Sequence, residues 1–170
     1  MQKSDRMMWM NIWTDNVSGR QEMNGSKDLK TIIYFKGVYD TLDLFTDHLI
    51  EAFESMGYGT FVYHTANEEV SKKMLLRLLG ESQEFAAVTF NNLGYNLSFE
   101  QPEAAEGEEG KPEEYNIWDY FHIPYIDILM DHPFHYEKPL CNMPKTAVIL
   151  CTDRNHVKYV RRFFKNIRQT

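Results

Sequence analysis

Cysteine is scarce: Cys141 and Cys151 are the only two in 170 residues, and they form no CxxC pair. That spacing argues against a disulfide-stapled scaffold and a Cys-based zinc site, and leaves two reduced thiols as the expectation. Long apolar runs are also missing. No stretch approaches the ~18 apolar residues a membrane-spanning helix needs. Residues 1 to 30 lack the continuous apolar core of a secretory leader, so the sequence is expected to be cytoplasmic, with no membrane span.

Basic charge is wanting too. The net charge is -7, but most of it sits in one place. The stretch "EQPEAAEGEEGKPEE", 100 to 114, holds seven glutamates and one lysine. Setting these aside from 25 acidic and 18 basic residues leaves 18 and 17, a balance of -1. A nearly neutral body without a basic stripe is not built for nucleic acid. Glycine-rich phosphate loops are absent as well. Gly37 stands alone after the first apolar run, and neither G-x-G-x-x-G, G-x-x-x-x-G-K-[ST] nor G-x-S-x-G occurs. Dinucleotide binding, Walker-type nucleotide binding and α/β-hydrolase chemistry lose their signatures, and no cofactor is expected.

What is present suits a folded domain: 43% hydrophobic and 14% aromatic residues, in a chain long enough for one substantial core. Residues 1 to 30 read as an N-terminal extension, rich in Ser, Asn, Asp and Gly. They carry an apolar knot, "MMWMNIW" at 7 to 13, read either as packing on the domain or another subunit, or as a loosely held tail. Residues 31 to 170 read as a single domain, interrupted by the acidic segment at about 100 to 114. That segment has too little apolar surface to bury and is expected to be a mobile insert.

Within the domain, apolar runs alternate with helical periodicity. "TIIYF" (31 to 35), "TFVYH" (60 to 64), "FAAVTF" (85 to 90), "YIDILM" (125 to 130) and "TAVILC" (146 to 151) read as five strands. After the first, Asp40 or Thr41 is available as a helix cap. Leu42, Phe45, Leu49, Phe53 and Met56 then form one helical face, ending at Gly57. Thr65 and Glu68 fit a capping box before Val70, Met74, Leu75, Leu78 and Leu79. "YNIWDYFHI", 115 to 123, reads as a short helix stopped by Pro124. Asp153 caps a last helix with Val157, Val160, Phe164 and Ile167 on one face. The expected fold is α/β: a Rossmann-like, doubly wound parallel sheet of about five strands, order 3-2-1-4-5, in a three-layer αβα arrangement.

Ligands in such sheets bind beyond the carboxyl ends of the strands. Those ends offer Lys36 and Gly37, His64 and Thr65, Asn91 and Asn92, Asp131 and His132, then Thr152, Asp153 and Arg154. Pro133 and Pro139 fix part of the loop "DHPFHYEKPL" in advance. Asp131, His132 and His135 could be read as metal ligands, but a D-H-x-x-H run in a loop sets no coordination geometry. Hydrogen bonds around the turn at Pro133 are the favoured reading, and no metal is expected. Asp127 interrupts an apolar strand, and a buried carboxylate is costly unless paired. A bulge, or a turn toward a polar neighbour such as a tyrosine, is the expected remedy. Tyr115, Trp118, Tyr120 and Phe121 read as core, and the cations of "KYVRRFFKNIR" read as a solvated last helical turn. A receiver domain needs an acidic pair after strand one; Lys36 and Gly37 stand there instead.

"IWDYFHIPYIDILMDHPFHY", followed by "TAVILCTDRNHVKYVRRFF", resembles the N-terminal domain of CgeB-like glycosyltransferases, the spore-maturation-type proteins of bacteria with GT-B architecture. The resemblance covers roughly 31 to 168 and is strongest at 117 to 135 and 147 to 164. It implies transfer of a sugar from an activated nucleotide to an acceptor without a required metal. It also implies that this domain shapes the acceptor side while a second domain grips the nucleotide. By position, Asp131, His132 and Pro133 then border the cleft at strand four. Asp153, Arg154, Asn155 and His156 border it at strand five. His132 and Asp131 are the candidates for catalytic base.

The 170 residues hold no second βαβ set to bind a donor, and proximity and exclusion of water need both lobes. Alone, the chain is expected to be inactive in glycosyl transfer. It would work with a sugar acceptor or other small molecule in its cleft, and with a donor-binding domain or subunit. The alternative is a non-enzymatic Rossmann-like module that binds a small ligand or a protein.

Overall fold

A computed structural model describes residues 30–81, 84–100 and 114–170. The apolar knot at 7 to 13 and nearly all of the acidic insert therefore lie outside the described residues. The sheet is built around Thr31–Lys36 (β1), a β-branched and aromatic run whose first five residues are buried. Asp40–Ser55 (α1) follows, then Gly59–His64 (β2), a 3-10 turn at Thr65–Asn67, and Glu68–Leu79 (α2). Phe85–Phe90 (β3) leads to a small antiparallel pair, Ser98–Glu100 (β4) and Glu114–Asn116 (β5). Ile117–Tyr120 (α3), Tyr125–Leu129 (β6), a 3-10 turn at Pro133–Tyr136, Glu137–Cys141 (α4), Ala147–Cys151 (β7) and Arg154–Phe163 (α5) complete the order.

All four ladders of the main sheet are parallel, in the order β2-β1-β3-β6-β7. The five expected strands are present, flanked by helices in a three-layer α/β arrangement of Rossmann-like type. Their order needs correcting: in chain order it is 2-1-3-4-5, not 3-2-1-4-5. Composition explains the difference. β2 begins with Gly59 and Thr60 and ends with His64, and only Tyr63 in it is buried, as suits an edge. β3 is buried from Ala87 to Phe90 and lies between two neighbours.

Right-handed crossovers then fix the layers. β1 to β2 runs one way and β2 to β3 runs back over β1, so α1 and α2 fall on opposite faces. Ile32, Tyr34 and Val88 pack under Leu49, Ile50 and Phe53 of α1. On the other face Ile33, Phe35, Ala87, Tyr125, Leu129 and Ile149 meet Leu75 and Leu79 of α2, Trp118 of α3, Leu140 of α4 and Val160 of α5. Each fully buried aliphatic side chain there contributes roughly 1.5 to 3 kcal/mol. Among the described residues α1 is the only helix on its face, and Leu150 of β7 is 46% exposed there. Past α5 the chain returns to the sheet, where Gln169 bridges Val148 in parallel and accepts the Ile149 N–H at 3.0 Å.

The helix starts differ in detail from expectation. α1 begins at Asp40 itself, with Tyr39 in the cap position and no side-chain cap. Thr65 does not form a capping box; its hydroxyl donates to the Lys36 carbonyl at 3.1 Å, tying β2 to β1. Asp153 does cap α5, accepting the Asn155 N–H at 2.6 Å. In "YNIWDYFHI" the helix is only four residues long, because Tyr115 and Asn116 are used in β5.

Candidate functional site

Parallel pairing brings all five carboxyl ends to one edge, but the polar residues there are not equally free. At the end of β1, Gly37 takes φ +99° and donates its N–H to both carboxylate oxygens of Asp43, each at 3.0 Å. The protein's own anion fills the position where a phosphate would bind at a helix start. Lys36 is engaged by Asp47 at 2.6 Å. His64 is exposed at the end of β2; its backbone N–H donates to Ser71 Oγ and its carbonyl accepts from that hydroxyl, both at 3.1 Å. Lys36, Gly37 and His64 thus close β1 and β2 onto their own helices.

The ends of β3 and β6 are joined. Asn91 and Asn92 take positive φ, 49° and 66°, in a turn that projects the Asn91 carboxamide toward β6. Its Oδ1 accepts the Met130 N–H at 2.9 Å, and its Nδ2 donates to Asp131 Oδ2 at 3.2 Å. Tyr136 Oη donates to the same Asp131 oxygen at 2.9 Å. Burial, and next the hydrogen bond to Asp131, push the Tyr136 phenol well above its ordinary range. Asp131 is exposed yet held by two donors, a pre-set acceptor at the rim. Asn91 stands among the strand-end residues but reaches Asp131 only through a left-handed backbone, whereas Tyr136 lies in the following turn, which strand ends do not indicate.

His132 caps the turn that follows, its Nδ1 accepting the Phe134 N–H at 3.1 Å, while Pro133 is buried beneath it. With the Nδ1 lone pair used, the neutral ring carries its proton on Nε2 and presents a donor. That geometry disfavours His132 as a general base and leaves Asp131 as the better candidate. The His132 ring also meets His156 and Tyr159 of α5, with centroids 4.8 and 5.0 Å apart. Asp153 is spent on its cap, and Arg154 is exposed in the first turn of α5. No three His, Cys, Asp or Glu side chains among the described residues group to hold a metal ion.

Asp127 lies just below this edge, and the expected bulge is not there. β6 keeps an unbroken register with Thr89↔Asp127 and Asp127↔Ile149. The carboxyl points into the core, with 0% exposure. Its polar neighbour is a backbone group rather than a tyrosine: the Asn92 N–H donates to Asp127 Oδ1 at 2.8 Å. Burial pushes the carboxyl up to about 7, against the opposing pull of that hydrogen bond. Burial, and then the Asp127 charge, also raise Tyr125 and Cys151.

The loop after Asn92 is pinned from below. Gly94 takes φ +77°, and a Cβ there would lie 2.3 Å from carbons of the Phe35 ring. Its carbonyl accepts from Trp118 Nε1 at 2.7 Å, and the Leu93 carbonyl accepts from Tyr125 Oη at 2.8 Å. Of the aromatic cluster expected as core, Trp118 is fully buried, while Tyr115, Tyr120 and Phe121 are half-buried and pack against the core from outside. An open concavity of about 340 Å³ lies at the other edge of the sheet, lined by Leu79, Phe85, Phe121, Ile123 and Pro124. It shares no residue with the rim around Asp131.

No protein-family model matches the chain, and neither a curated protein nor a solved structure matches it. No helix among the described residues is long and apolar enough to cross a membrane.

Proposed function

We propose that this chain is the acceptor-side domain of a bacterial, CgeB-like glycosyltransferase of GT-B type. The observation that carries the reading is the Asp131 carboxylate, held by Asn91 and Tyr136 at the carboxyl edge of a doubly wound sheet, within the D-H-P stretch that resembles that family. In this reading Asp131 accepts a hydrogen bond from an acceptor hydroxyl. It takes the hydroxyl proton as the oxygen bonds to the anomeric carbon, and the nucleotide departs with the electrons of the broken C–O bond. His132 Nε2–H donates to a neighbouring acceptor oxygen. The donor is brought by a second domain or subunit, and the complex works in the cytoplasm without a metal.

A second reading, a non-enzymatic module for a small ligand or protein, is favoured by the internal satisfaction of Lys36 and Gly37 by Asp47 and Asp43. One titration separates the two. The 170-residue chain is followed by NMR against a panel of mono- and oligosaccharides, and incubated with nucleotide sugars. Saccharides are expected to perturb Asn91, Asp131 and Tyr136. Asp131→Ala is expected to abolish that response while costing no more than about 1 kcal/mol of stability, since it is an exposed position. No nucleotide sugar is expected to be consumed. Turnover by the pure chain, or silence toward every saccharide, would overturn the reading.

A further inference from the structure

Asp127 is the one charged residue in the buried set of the described residues, and it does not reach the exposed edge. Its reach comes through the backbone. A carboxyl removed from water needs a donor, and it finds one in the Asn92 N–H at 2.8 Å. The turn that offers this N–H holds two consecutive non-glycine residues in the left-handed region, which L residues adopt only at a cost of roughly 1 to 2 kcal/mol each. Asparagine tolerates that region better than most residues, but such a turn persists where its surroundings hold it.

The same turn aims Asn91. Its N–H donates to the Ile128 carbonyl at 3.1 Å, its Oδ1 accepts the Met130 N–H, and its Nδ2 donates to Asp131 Oδ2. One hydrogen bond below the edge and three at the edge therefore share two adjacent residues.

We propose that Asp127 is a positioning residue: acting through the Asn91–Asn92 turn, it sets the orientation of the Asp131 carboxylate. Its meaning for acceptor binding rests on the function proposed above, whereas the relay itself can be tested without any ligand.

Amide hydrogen exchange on the 170-residue chain reads both ends of the relay, with Asn92 reporting the Asp127 bond and Met130 reporting the placement of the Asn91 side chain. Asp127→Asn keeps an acceptor oxygen and should leave both amides protected. Asp127→Val removes the acceptor, and both should exchange at least tenfold faster, while Ile33 and Val88 in β1 and β3 keep their rates. Unchanged Met130 protection in a folded Asp127→Val chain overturns the relay, as does equal loss in Asp127→Asn.

Should Asp127→Val not fold, the wild-type chain still decides. One turn carrying both bonds requires protection factors for Asn92 and Met130 within about threefold of each other, and a wider gap overturns the proposal. Saccharide affinity should fall at least tenfold in the Val variant and recover in the Asn variant. If the relay behaves as expected but no saccharide binds the wild-type chain, the proposed function fails and the positioning role stands.

Discussion

Asp127 and Asn92 lie 35 residues apart in the chain and meet at 2.8 Å through a single N–H. The bond is short, yet it does not offset the loss of water around the carboxyl, which burial pushes up to about 7. An unfolded aspartate titrates near 3.9. Between those two values the folded chain holds a proton that the unfolded chain releases.

The sign of the pH dependence follows. Stability contributed by protonated Asp127 is fully present below about pH 4 and is lost as the pH rises through about 7. At about 1.36 kcal/mol per pKa unit, the loss is at most about 4 kcal/mol. Comparing wild type with Asp127→Asn removes the contributions of the other titrating groups. Urea denaturation from pH 4 to pH 8 should therefore show the balance moving toward the Asn variant by a few kcal/mol. A constant difference would mean that the carboxyl titrates as an ordinary one.

Gly94→Ala should be much more costly than Gly57→Ala. Both glycines have positive φ, +77° and +88°, but a Cβ at Gly57 meets nothing within 4 Å whereas one at Gly94 runs into Phe35. Gly57→Ala should lose about 1 to 2 kcal/mol, the left-handed penalty alone. Gly94→Ala should lose that plus about 1 to 3 kcal/mol of overpacking. Equal losses in chemical denaturation would show that the loop moves off the ring at no cost.

Trp118→Phe should destabilise by roughly 2 to 4 kcal/mol. It removes the Nε1 donor to the Gly94 carbonyl, leaves that carbonyl with the Leu97 N–H alone at 3.2 Å, and opens space beside Phe35 and Tyr125. A change below 1 kcal/mol would mean that water reaches that carbonyl once the indole is gone.

Much of the scaffold was legible from one sequence because period and length agree. "TIIYF" and "TAVILC" are too short and too β-branched for helices, and Leu42, Leu49 and Phe53 keep helical spacing. Strand order was not legible, since right-handed crossovers permit both arrangements. Only the relative polarity of β2 and the small Ala86 and Ala87 of β3 hint at which strand is the edge. The β4–β5 pair was missed because its halves are three residues long and separated by the acidic insert. At the site, Asp131 could be reached from its strand end. How it is supported could not: Asn91 was in view at its strand end but acts through a left-handed turn, Tyr136 reaches Asp131 from the 3-10 turn that follows, and Asp127 meets the left-handed turn through a backbone N–H. The signal available was "NNLG", where three of four residues tolerate positive φ.

Among the described residues, four helices share one side of the sheet, and a single helix covers β1 and β3 on the other. The two sides should not forgive change equally. Beneath the four, a lost methyl group can be absorbed as neighbouring helices slide together. Under α1, a loss at Ile32 or Val88 leaves a void with no adjacent helix among the described residues to close it. Sequence drift in the core should therefore be tolerated on one side and resisted on the other.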